Sequence, residues 1–178
     1  MARIREIHES AWQPLNIGKL VAVTLLIAAV VFMARSEQHW VFILDSANLA
    51  FHEAGHPFFG FISERLMVYG GTLGQLAFPL AAWAIFWVRR EAASCAVAAI
   101  WLFENFLNIA RYMGDARAQE LPLVGGGEHD WSEIFSRWGV LQSDTAIANF
   151  VSMLGWFGML IAWAWLAWRT LQSAREKN

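Results

Sequence analysis

The run Ile17-Gly18-Lys19-Leu20-Val21-Ala22-Val23-Thr24-Leu25-Leu26-Ile27-Ala28-Ala29-Val30-Val31-Phe32-Met33-Ala34 decides which solvent this chain is built for. Only Gly18, Lys19 and Thr24 interrupt its apolar character. A helix needs roughly 18–20 apolar residues to cross a hydrocarbon core, and this run is near that length. The preceding Glu6, His8 and Glu9 are unlike the basic start of a cleaved secretory leader, so the run is read as a retained anchor. The rest of the composition agrees. Hydrophobic residues make up 57% of the 178 and charged ones 16%, where a soluble domain carries about 25%. Eleven tryptophans suit a bundle anchored at membrane interfaces, where indole rings favour the headgroup level.

Further apolar runs follow at 40–62, 68–88, 92–113 and 145–168. With 17–34 they predict an all-α, polytopic membrane helix bundle of about five segments, a single domain over 1–178. The links are short except for 114–144, a larger polar loop holding Gly125-Gly126-Gly127 and six acidic residues. The 13 basic residues divide seven to six between the two sides, so orientation stays undecided. The net charge of −2, without a basic block, excludes nucleic acid as a partner. The single cysteine, Cys95, excludes an intrachain disulfide and a cysteine zinc cluster.

The second run carries polar residues that an idle membrane helix would not keep. Asp45, Asn48, His52 and His56 are spaced 3, 4 and 4, which places them on one helical stripe. His52-Glu53-Ala54-Gly55-His56 puts two imidazoles one turn apart, so both can reach one ion at about 2.0–2.1 Å. Glu53 lies beside them, placed to act as general base on a metal-bound water. Zinc (Zn2+) is the expected cofactor. The fourth run has its own stripe, Glu104, Asn108, Arg111 and Asp115, flanked by Asn105 and Tyr112. Two polar stripes on separate membrane helices are best buried by facing each other, and Arg111 could neutralise either acid.

A motif of this kind inside a membrane segment resembles the site-2 protease family of intramembrane zinc metalloproteases. Tyr69-Gly70-Gly71-Thr72-Leu73-Gly74-Gln75 stands where that family has a glycine-rich stretch supporting extended substrate. Asn108 to Asp115 is similar to the family's later motif, without its prolines and with Gly114 before the acid. The resemblance covers roughly residues 40–117. It implies Asp115 as third zinc ligand and a substrate-binding role for Gly71, Gly74, Asn108 and Arg111. Pro57, directly after His56, departs from the family pattern; it frees the carbonyl of Glu53.

The third ligand remains open among Asp115, Glu104 and His129. Counted from the segment starts, Glu104 matches the depth of the histidines. His129, between Glu128 and Asp130 after the glycine tract, could fold back as a ligand or lid, or lie in a solvated loop tip with Trp131 at the interface.

The expected function is an intramembrane protease acting on a membrane protein substrate in the lipid bilayer. No soluble regulatory module is seen, so regulation would come from a membrane partner. The expected location is the bacterial inner (plasma) membrane. The alternative is a non-catalytic membrane subunit with a structural metal or polar seam at the same residues. A membrane di-iron oxygenase wants more than five histidines and is set aside.

Overall fold

The computed structural model describes residues 11–37, 39–124 and 128–175. The first ten residues and the Gly125-Gly126-Gly127 tract lie outside them. Among the described residues there are six α-helices: α1 (Ile17–Ala34), α2 (Phe42–Gly60), α3 (Glu64–Val88), α4 (Ala92–Gly114), α5 (Asp130–Trp138) and α6 (Asp144–Arg175). A 3-10 turn at Leu141–Ser143 leads into α6. No strand occurs among the described residues.

The boundaries follow local chemistry. Asn16 caps α1 by accepting the Lys19 N–H at 2.9 Å. The Ser63 hydroxyl accepts the Arg65 N–H, so α3 begins at Glu64, earlier than the apolar run alone suggests. The short helix α5 stops at Gly139, whose φ of 70° is the left-handed conformation that glycine adopts without steric cost.

Among the described residues, four helical stretches are long and apolar enough to cross a membrane: Ile17–Ala34, Glu64–Val88, Ala92–Gly114 and Leu141–Arg175. The motif helix α2, expected as a fifth span, is not among them. Its 19 residues include Asp45, Asn48, His52, Glu53 and His56, and these dilute its apolar content.

At the centre stands α4. It packs along α6 and α3 and touches α1, while α2 packs chiefly on α3. Alanines 92, 96 and 99 of α4 let α1 and α6 approach closely, and Val30, Ile100 and Leu166 fill the seam between them. A second apolar cluster joins Ile109 and Met113 of α4 to Trp131, Ile134 and Phe135 of α5 and to Ala148 of α6. Ile134 and Phe135 are wholly buried. Part of the polar loop 114–144 therefore folds back on the bundle as the helix Asp130–Trp138, because its Trp131, Ile134 and Phe135 face needs burial.

Candidate metal centre

The site begins with a close crossing of α2 and α3. A Cβ at Gly55 would collide with the Gly70 carbonyl, and one at Gly74 would lie 2.5 Å from the Phe51 carbonyl oxygen. Only glycine permits this approach, which brings His52 and His56 against α3. The glycines expected to border an extended substrate strand are thus helical, inside α3. Gly74 packs on the α2 backbone, and Gly71 leaves room for the His52 ring, which any Cβ there would strike.

Each imidazole is fixed through Nδ1. His52 Nδ1–H donates to Gln75 Oε1 at 2.8 Å. His56 Nδ1–H donates to the Met67 carbonyl at 2.8 Å. A carbonyl oxygen only accepts, so His56 carries its proton on Nδ1. Both Nε2 atoms then turn to one oxygen: Asp130 Oδ2 lies 2.9 Å from His52 Nε2 and 3.3 Å from His56 Nε2. Three electron-rich atoms converging in this way repel one another unless protons or a cation lie between them. Ligand atoms around a tetrahedral zinc with bonds of about 2.0–2.1 Å stand roughly 3.3 Å apart, close to the spacing here. Two imidazoles and one carboxylate fit zinc, with outer partners holding both rings as metal-binding histidines require.

Asp130 is brought into place by α5. It is the first residue of that helix, where the helix dipole favours a carboxylate. Its N–H donates to the Tyr112 hydroxyl oxygen at 3.1 Å. Burial resists ionisation of Asp130, but protonated His52 and His56 facing it outweigh burial and hold the carboxyl below its ordinary range.

The three residues considered from sequence as third ligand lie elsewhere. Asp115 accepts the Glu120 and Leu121 N–H groups at 2.9 and 3.1 Å and closes the turn after α4. Its carboxylate also lies 3.4 Å from His129 Nε2. His129 caps α5, its Nδ1 accepting the Ser132 N–H at 3.2 Å, and its ring packs 4.1 Å from that of Tyr112. Glu104 accepts from Asn48 Nδ2 at 3.0 Å within a buried polar network. The sequence points to the run 128–131 but not to the right residue in it: capping turns His129 away and Asp130 towards the histidines.

Glu53 shares with His52, His56 and Asp130 the wall of a cavity of about 820 Å3. Leu49, Met67, Val68, Leu123, Val124 and Trp131 supply apolar lining, and Asn108, Arg111 and Tyr112 supply polar atoms. The Arg111 guanidinium stands over the Trp40 ring at 6.0 Å. Pro57 lies inside α2 and leaves the Glu53 carbonyl without its usual helical donor. Beyond the motif, the facing stripes do meet: Asn108 Nδ2 donates to Asp45 Oδ1 at 2.8 Å, and Asn105 Nδ2 to Asn48 Oδ1 at 2.9 Å. Gln75, Asn105 and Tyr112 take part without having been singled out as ligand supports.

No family model, curated protein or solved structure matches the chain.

Proposed function

We propose that this chain is an intramembrane zinc metalloprotease that hydrolyses peptide bonds in or next to membrane segments of a protein substrate. The observation that carries the reading is the convergence of His52 Nε2, His56 Nε2 and Asp130 Oδ2 on one point in the cavity wall that also bears Glu53. Three donors, with no fourth in the group among the described residues, are the set of catalytic zinc sites; structural sites are closed by four. This favours an enzyme over a subunit with a structural metal.

Lipid is the solvent in this reading. Phe32, Ile43, Phe61, Ile161 and Leu171 point outward from the bundle, each more than half exposed, and such a surface suits a bilayer. The mostly apolar cavity suits a membrane segment unwound near its scissile bond.

Zinc bound by His52, His56 and Asp130 would act as a Lewis acid and lower the pKa of its water towards roughly 7. Glu53 takes a proton from the attacking water on its carboxylate and gives it to the leaving amine nitrogen. Tyr112, whose oxygen accepts the Asp130 N–H, is placed to donate its own O–H to a developing oxyanion. Two histidines and a carboxylate also suit ferrous oxygenases, but Glu53 on the cavity wall favours hydrolysis.

Replacing Glu53 tests this reading. Glu53→Gln keeps the shape and removes the base, so zinc should stay bound while cleavage of a co-expressed membrane substrate falls by roughly 10²–10⁴-fold. Wild-type cleavage by the variant would overturn the assignment. Iron in place of zinc on elemental analysis would overturn the reaction class.

A further inference from the structure

We propose that Trp101 and Asp45 are positioning residues for His52, acting through a chain of side-chain amides that ends on Gln75. The consequence for metal binding rests on the zinc reading above, whereas the proton position on His52 does not.

An amide side chain presents an acceptor at one end and a donor at the other, so its orientation must be fixed by its partners. Two groups here admit one role only. The Trp101 indole N–H is a donor and cannot accept; it reaches Asn48 Oδ1 at 2.8 Å. The Asn48 oxygen therefore faces Trp101, and it also receives Asn105 Nδ2 at 2.9 Å. Asn105 must then present Oδ1 to Gln75, whose Nε2 donates to it at 2.9 Å.

The second branch starts at Asp45. Its Oδ2 accepts the Val41 N–H at 2.6 Å and its Oδ1 accepts Asn108 Nδ2 at 2.8 Å. Asn108 is thereby turned so that its Oδ1 faces Gln75 Nε2, at 3.3 Å. Both branches deliver an oxygen to the same Gln75 amide nitrogen. A flipped Gln75 would set its own oxygen against two others. The amide is thus locked with Oε1 towards His52, and His52 must donate from Nδ1.

This lock places the free electron pair of His52 on Nε2, the atom aimed at Asp130. Neutral imidazole in water prefers the other tautomer, with the proton on Nε2 and hence no lone pair for a cation there. The relay is largely buried: Asp45, Asn48, Gln75 and Asn105 are each 2% exposed or less, and Trp101 and Asn108 are half-buried. Buried amides bonded in one consistent direction over two helix gaps are a costly arrangement for a merely structural seam, since aliphatic side chains would fill the same space without desolvation. His56 needs no such device, because a backbone carbonyl already fixes it.

The test is two-bond proton–nitrogen correlation on histidine-labelled, zinc-free Asp130→Ala protein in detergent, at an alkaline pH where the rings are neutral, so that no carboxylate at Nε2 competes for the His52 proton. His52 should then carry its proton on Nδ1. Glu104 also holds the Asn48 amide, through Nδ2, so Trp101→Phe is combined with Asp45→Asn and Glu104→Gln; together they should give a mixed pattern at His52 while leaving His56 unchanged. Zinc affinity of the triple variant with Asp130 intact, measured by competition with a chelating dye, should fall by roughly 10–100-fold. A His52 protonated on Nε2 in the Asp130→Ala protein, or an unchanged pattern after the three substitutions, overturns the proposal.

If the triple variant does not fold, Gln75 decides in the same Asp130→Ala background. Gln75→Glu keeps an acceptor for His52 and should retain the Nδ1–H pattern, whereas Gln75→Leu should lose it. Equal patterns in those two would equally overturn it. Failure of wild type to take up zinc, with the tautomer as stated, would refute the metal reading and leave the relay standing.

Discussion

The crossing of α2 over α3 makes a quantitative prediction for Gly70→Ala. A Cβ at Gly70 would sit 2.6 Å from the Gly55 carbonyl oxygen and 3.1 Å from the His56 Cα. A carbon–oxygen contact of this kind needs roughly 3.3 Å, so the helices must part by about 0.7 Å. Both neighbours are backbone atoms, and no side-chain rotation relieves the contact. The same movement stretches the two bonds that orient the imidazoles, His52 to Gln75 and His56 to Met67, from 2.8 Å each to about 3.5 Å, past the useful hydrogen-bond range. Overpacking of this size costs about 1–3 kcal/mol, and losing the orienting bonds should weaken zinc binding by roughly 10–100-fold. Gly60→Ala is the control: on the same helix as the histidines, its Cβ would meet the Met67 side chain at 3.4 Å, an ordinary contact. Thermal melts in detergent and zinc competition titrations on both variants provide the assay. Wild-type stability and zinc affinity in Gly70→Ala would refute the close backbone crossing and the account of how the histidines are held.

Three further outcomes follow from the same geometry. Ile134→Ala opens a cavity under a wholly buried residue of α5; it should cost about 2–5 kcal/mol and weaken zinc binding, because Asp130 rides on that helix. Phe58→Ala, on the outward side of α2 and 64% exposed, should leave zinc affinity unchanged in the same titration. Zinc affinity should fall as pH drops, because metal competes with protons for the imidazoles and the carboxylate; a titration flat from neutral to mildly acidic pH would exclude His52 and His56 as ligands.

Periodicity and length sufficed for α1, whose limits match the apolar run 17–34, and for the pairing of the Asp45 and Asn108 stripes. His52 and His56 were legible because their relation is local: one helical turn fixes it. The third member of the cluster was not, since Asp130 reaches the histidines only through a chain reversal, the turn closed by Asp115 and the docking of α5. One residue of offset in a short helix separates a capping His129 from a site-facing Asp130, and neither composition nor spacing encodes that rotation. The glycines of 70–74 misled for a related reason. Glycine marks close approach whether the visitor is an extended substrate or a neighbouring helix, and the partner here, Gly55, lies on a separate helix.

The central claim is that His52, His56 and Asp130 hold one zinc ion. Elemental analysis of the protein purified in detergent, alongside His52→Ala, Asp130→Ala and Asp115→Ala, tests it most directly. The account predicts one zinc per chain in wild type, retention in Asp115→Ala, and loss in His52→Ala and Asp130→Ala. Equal zinc in all four, or loss on replacing Asp115 with retention on replacing Asp130, would contradict it.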